Sequence, residues 1–121
     1  MKALFDTNIL IDYLNGLTSA KTIFNKFETN FISIISWMEV LIGFNDDSEM
    51  MIVKDFLQQF NVIHIDFAVA KIAIKLRQQH KIKLPDAIIW ASAEANDCLL
   101  VTRNTKDFPE NIPTVWVPYK L

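Results

Sequence analysis

Short apolar runs and helical apolar patterns alternate along the whole chain. Residues 2–5, KALF, read as a buried strand, and residues 8–14 as a short helix stopped by Asn15-Gly16. Over residues 19–28, Ala20, Ile23, Phe24 and Phe27 recur at helical spacing. NFISIIS, residues 30–36, is rich in Ile and Phe and strand-like. Residues 36–44 look helical, Asn45 to Ser48 form a break, and residues 49–60 are helical again. VIHI, residues 62–65, reads as a strand. Residues 67–80 read as a helix that sets Ala70, Ile72, Ala73, Ile74 and Leu76 against Lys71, Lys75, Arg77 and Gln78. Residues 85–96 form another helix with Pro85 in its first turn, and CLLVT and TVWV supply two last strands.

Strands separated by helices predict a mainly parallel sheet covered on both faces. Their nearly continuous hydrophobicity agrees with that burial. The expected fold is a three-layer α/β/α sandwich with about five strands, in one domain spanning 1–121. In such sheets ligands bind beyond the carboxyl ends of the strands. Each carboxylate that follows a strand therefore has a possible address.

Composition narrows the picture. Of 121 residues, 51% are hydrophobic and only 2 are Gly, enough for a real core and against a disordered or low-complexity chain. The formal net charge of −2 lacks the basic excess of a nucleic-acid-coating protein. It leaves open an enzyme that grips a short stretch of nucleic acid through metals and a few cations. Cys98 is the single cysteine, so neither a disulfide framework nor a cysteine zinc site can be built. Its apolar setting predicts a buried, inert thiol. No charged-then-apolar leader is seen, and the apolar runs fall short of the ~20 residues of a membrane span. A cytoplasmic protein is the expectation.

The acidic residues carry the candidate chemistry. Asp6 follows the first strand, and Asp is also a strong helix N-cap. Glu39 follows the second strand, three residues after Ser36, the spacing of a capping box. Asp86 opens a largely apolar helix after Pro85. Asn104 and Asp107 follow CLLVT, where Asn104 could cap a short helix. Every one of these has a purely structural reading. Those readings do not explain why Asp6, Glu39 and the Asn104/Asp107 pair all follow predicted parallel strands, while Asp86 opens a buried helix that could deliver it to the same edge. Two carboxylates within about 4 Å at an effective dielectric near 20 repel by roughly 4 kcal/mol before relaxation. Helix N-termini offset part of this, and a divalent cation offsets more. Oxygen-only ligands favour Mg²⁺ or Mn²⁺ over zinc, and neither His64 nor His80 has zinc-site spacing.

LFDTNILIDYL, SIISWMEVLIG, LPDAIIWASA and LLVTRNTKDF together resemble the four motifs of PIN-domain proteins, in particular the VapC-type toxins of toxin–antitoxin pairs. The resemblance covers essentially the whole chain. It implies a Mg²⁺- or Mn²⁺-dependent endoribonuclease that hydrolyses RNA with metal-activated water. Asp6, Glu39 and Asp86 would be the core acidic triad and metal ligands, with Asp107 as a further catalytic acid. Many PIN proteins carry an acid where Asn104 stands, so either Asn104 or Asp107 completes the fourth corner. Thr7, Asn8 and Thr102 match polar positions that would orient the carboxylates. Arg103 and Lys106 flank the cluster and could meet substrate phosphates. The resemblance also implies a cognate antitoxin and a homodimer, possibly within a larger toxin–antitoxin assembly. The apolar residues around NDDSEMM and residues 9–17 would supply part of that surface.

Three alternatives compete. A phosphoryl-accepting receiver domain needs paired acids after its first strand and a late Lys-Pro, and this chain has neither. A haloacid-dehalogenase-type phosphatase needs D-x-D where this chain reads Asp6-Thr7-Asn8. A non-catalytic PIN-like interaction module would have no need of Asp6, Glu39 and Asp86 together.

Overall fold

A computed structural model describes residues 1–121. Five strands, β1 (Lys2–Phe5), β2 (Thr29–Ser33), β3 (Asn61–Ile63), β4 (Leu99–Val101) and β5 (Val115–Trp116), form one wholly parallel sheet in the order β3-β2-β1-β4-β5. Six α-helices cover it: α1 (Thr7–Leu14), α2 (Thr18–Lys21), α3 (Ile34–Ile42), α4 (Asp47–Leu57), α5 (Phe67–His80) and α6 (Leu84–Ala95). The expected three-layer sandwich is the fold found. No helix is long and apolar enough to cross a membrane.

Side chains alternate across β1, and that alternation divides the core in two. Leu4 joins Trp90, Leu100 and Phe108 in the layer under α5 and α6. Ala3 and Phe5 join Ile9, Leu10, Val40, Phe56 and Phe60 under α1, α3 and α4. Phe5 is fully buried and meets Phe24, Phe27 and Phe60 edge-to-face, with centroids at 4.8, 5.9 and 6.0 Å.

Three local expectations change. The helix expected over 19–28 is split into α2 and a single 3₁₀ turn, Phe24–Lys26. The bonds from Ile23 N–H to Ala20 O and from Lys26 N–H to Ile23 O tighten to three-residue spacing. Thr22 and Ile23 are β-branched and Asn25 is a weak helix former. The tighter turn also brings Phe24 and Phe27 onto Phe5. The second strand ends at Ser33, and the helix starts at Ile34 rather than Ser36. Ladder pairing with β3 stops at Ser33, whose hydroxyl accepts from Ile35 N–H and caps α3. The capping box assigned to Ser36 and Glu39 is therefore not formed. No helix follows Asn104. Its side chain instead closes a turn by accepting from the backbone N–H groups of Lys106 and Asp107.

α5 ends on Lys81 in the left-handed conformation, φ 55°. A Cβ is disfavoured there and glycine is not. Lys81→Gly is expected to stabilise the protein by about 0.5–1 kcal/mol, read as a higher urea midpoint at unchanged slope.

Candidate active site

The strand order reverses at β1. Chain segments proceed outward from β1 to β2 and β3, and then β4 and β5 return on the other side. The crevice beyond the carboxyl ends of β1 and β4 is the switch point where open α/β sheets bind ligands. Asp6 stands at the end of β1 and Thr102 at the end of β4, both buried. The Thr102 hydroxyl donates to Asp6 Oδ2 at 2.7 Å.

Asp6 is both cap and candidate ligand. It is the N-cap of α1, with Thr7 N–H donating to Oδ1 at 2.7 Å. Asn8 Nδ2 reaches Oδ2 at 3.2 Å. These donors favour the carboxylate, yet burial outweighs them. Desolvation, assisted by the charges of Asp86 and Glu39, pushes the Asp6 carboxyl up from 3.8 to about 6. The Asp86 carboxyl, half-buried at the start of α6, is also raised, first by burial and then by Asp107 and Glu39, with Lys83 opposing.

Thr7 ties in Glu39. Its hydroxyl lies 2.7 Å from Glu39 Oε1 and 2.9 Å from the buried Ser36 Oγ. With the one Thr7 proton on the carboxylate, the Ser36 hydroxyl supplies the other. Ser36 is thus freed from capping and holds Thr7. In the turn after β4, Asn104 N–H donates to Thr102 Oγ1 at 3.0 Å. Asn104 Nδ2 donates to Asp107 Oδ2 at 2.9 Å.

Asp6, Glu39, Asp86 and Asp107 thus come to one edge and feel one another's charge. Thr7, Asn8 and Thr102 hold Asp6 and Glu39, and Asn104 holds Asp107. No three of the chain's acids, histidines or cysteines stand close enough to form a ready-made cage for an ion. The donor set still fits a hard divalent cation, because it is all oxygen, its acids repel, and the buried Asp6 lacks a cationic partner. Mg²⁺ keeps several waters and needs only one or two carboxylates, so a cage is not required.

Two flanking cations differ. Lys106 is exposed and forms no ion pair. Arg103 instead grips Asp12 of α1, Nε to Oδ2 at 2.5 Å and Nη2 to Oδ1 at 2.9 Å. Tyr119 OH donates to the same Oδ2 at 2.6 Å. Asp12 and Tyr119 escape the motif reading. The signal for Asp12 was a lone acid within the apolar ILIDYL. Nothing in the sequence marked Tyr119.

A cleft of ≈ 440 Å³ lies at the opposite edge, lined by Met1, Trp90, Cys98 and Leu99 among others. Its chemistry is poor: Cys98 is buried with its thiol pushed up, chiefly by desolvation.

Without metal, Asp6 makes stability pH-dependent. Its folded value lies above the unfolded one, so its proton is held more tightly in the folded chain. The stabilisation is fully present below pH 3.8 and is lost as pH rises through about 6. The loss amounts to about 3 kcal/mol at 1.36 kcal/mol per unit. The shift of Asp12 runs the other way. Burial raises it, but the bonds from Arg103 and Tyr119 and the Arg103 charge win, so its contribution is lost only on acidification. Urea unfolding in EDTA from pH 4 to 7.5, with Asp6→Asn as the reference, isolates the Asp6 share. A wild-type-minus-variant difference that does not fall with pH would refute it.

The PIN domain family matches residues 3–111. A toxin–antitoxin complex from Klebsiella pneumoniae contains a similar chain, 45% identical, covering 98% of this chain and 99% of that one at a TM-score of 0.92. VapBC2 from Rickettsia felis, bound to a promoter DNA fragment, is 25% identical over 97% and 100% of the two chains, with a TM-score of 0.80. FitAcB from Neisseria gonorrhoeae, 23% identical over 100% of both chains, shares the fold at a TM-score of 0.80. No curated protein matches. The chain belongs to the PIN-domain family, as one of its VapC-type toxin nucleases.

Proposed function

We propose that this protein is a Mg²⁺- or Mn²⁺-dependent endoribonuclease, the toxin of a toxin–antitoxin pair. The observation that carries the reading is Asp6. A buried carboxylate is held by three donors at the sheet's switch point, facing Glu39 and Asp86 with no cation to balance it. The choice of RNA rests on the resemblance to VapC-type toxins. That none of these acids lines the ≈ 440 Å³ cleft also suits a polymer better than an enclosed small molecule.

Asp6, Asp86 and Glu39 would hold the ion. A divalent cation there supplies Lewis acidity, lowering the pKa of water and neutralising charge on the scissile phosphate. The chain's own residues do the rest. Thr102 and Asn8 occupy Asp6 Oδ2 and Thr7 N–H takes one side of Oδ1, so Oδ1 keeps the acceptor site left for a ligand. Thr7 fixes one oxygen of Glu39 and leaves the other to orient attacking water. Asp107, steadied by Asn104, is the better candidate for the fourth corner, since both ends of the Asn104 amide are occupied locally. Lys106, exposed and without an ion-pair partner, would be the cation free to meet a neighbouring phosphate.

Met38 and Ile42 on α3 and Met51 and Ile52 on α4 are exposed and apolar. They suit burial beneath a cognate antitoxin, the assembly named for the Klebsiella relative. Phe67 and Ile74, two turns apart on the exposed side of α5, suit a homodimer contact. Purified protein is expected to cleave RNA with Mg²⁺ or Mn²⁺ and to stop when EDTA is added. Cleavage undiminished by EDTA would overturn the metal assignment. Co-expression with the antitoxin is expected to suppress cleavage.

A further inference from the structure

We infer that Arg103 is a positioning residue, the middle of a latch running from the C-terminal tail through Asp12 to the carboxylate site. The inference rests on the preceding reading of that site. Three consecutive residues follow β4. Thr102 donates to Asp6, and Asn104 steadies Asp107. Arg103, between them, turns the other way and fastens to α1 at two points. Its backbone N–H reaches Asn8 Oδ1 at 3.4 Å, and its guanidinium forks onto Asp12 at 2.5 and 2.9 Å. Asn8 and Asp12 are four apart, so they share one face of the helix. One residue thus clamps a full helical turn against the strand end. Asn8 passes the constraint on, because its amide also contacts Asp6.

Tyr119 completes the latch from the far end of the chain, with its hydroxyl 2.6 Å from Asp12 Oδ2. The Asp12 side chain is only 8% exposed. Releasing Arg103 to a substrate phosphate would strand that buried carboxylate, a heavy penalty for one phosphate contact. The planar fork also matches a carboxylate in a way a lysine cannot. Geometry therefore assigns Arg103 to holding the turn that carries Thr102 and Asn104, and assigns Asp12 and Tyr119 to holding Arg103.

The test compares Arg103→Lys and the gentler Tyr119→Phe with the parent protein. Cleavage of a short RNA gives kcat and KM. Amide hydrogen exchange on the metal-free protein reads Arg103 and Asn104 N–H directly. Arg103→Lys is expected to lower kcat about tenfold with KM within about twofold. Exchange at the Asn104 amide should rise about tenfold while amides of β1 and α6 stay protected. Tyr119→Phe should move both readouts in the same direction by less, and adding it to Arg103→Lys should change little further. A raised, salt-dependent KM at unchanged kcat, with exchange unaltered, would make Arg103 a phosphate contact and overturn the latch. If Arg103→Lys fails to fold, Tyr119→Phe decides by the same readouts. If the parent cleaves no RNA, the nuclease reading fails, and exchange in the metal-free variants still decides the latch.

Discussion

Asp6→Asn is expected to slow RNA cleavage about a thousandfold while leaving the metal-free protein at least as stable as the parent at pH 7.5. The rate follows from charge. The amide keeps the shape and an oxygen for Thr7 N–H, but loses the anion that would hold a cation, a contribution of several kcal/mol to transition-state stabilisation. The stability follows from two opposed effects. Removing a carboxylate whose pKa is raised to about 6 relieves about 3 kcal/mol of desolvation and repulsion at that pH. Against this, the new NH₂ faces the Thr102 hydroxyl, which can turn to accept, and the Asn8 amide, which cannot without flipping away from Arg103 N–H. One or two hydrogen bonds lost cost about 1–2 kcal/mol. Kinetics at saturating Mn²⁺ and urea titration in EDTA check the two halves. Parental cleavage would remove Asp6 from the machinery. A loss of more than about 2 kcal/mol would make its capping role the dominant one.

The second large effect belongs to Phe5, one residue before Asp6. Phe5→Ala is expected to cost about 4 kcal/mol, within the usual range for a buried Phe truncated in a core. Phe5 is fully buried in the central strand and meets three aromatic rings, and the Phe24 ring further packs on Tyr13, Phe56 and Phe60. The backbone of β1 is hydrogen-bonded on both sides, so the cavity has little freedom to collapse. Against a typical total of 5–15 kcal/mol, this leaves a marginal protein. Calorimetry would show a melting temperature lower by some 10–20 °C. A drop under about 1 kcal/mol would mean that the Phe24–Phe27 segment closes the gap. Asp6→Asn and Phe5→Ala therefore separate chemistry from folding at adjacent positions.

Much of this was legible in the sequence, for physical reasons that differ by element. The ends of α5 are legible because its charged and apolar residues alternate with helical period on an exposed surface. β1 and β4 are legible because parallel strands buried on both faces are continuous apolar runs. Asp6, Glu39 and the Asn104–Asp107 turn are assigned to one edge by a topological rule that needs only strand order, whereas Asp86 follows a helix and depends on α6 to bring it there. What escaped depended on side chains meeting across long sequence gaps. Ser36 carries the spacing of a cap, yet Ser33 does the capping, because β3 ends opposite Ser33. Thr22 and Ile23 lie in a sound helical pattern, yet Phe5 draws the following aromatics into a tighter turn. Arg103 beside an acidic cluster reads as a phosphate contact until Asp12, 91 residues earlier, is seen beneath it. No local pattern announces such a pair.

The flanking of β1 by β2 and β4 has a consequence during synthesis. β2 reaches β1 early, but β4 arrives about 95 residues after it, and Thr102 meets Asp6 across a separation of 96. At ribosomal rates that interval is roughly 5–20 s, during which one edge of the central strand has no partner. The carboxylate edge cannot be complete in that time, since its Thr102 and Asp107 corners are not yet made. By topology, a nascent chain of this protein therefore carries no complete carboxylate edge until β4 and the turn after it have emerged and closed the sheet.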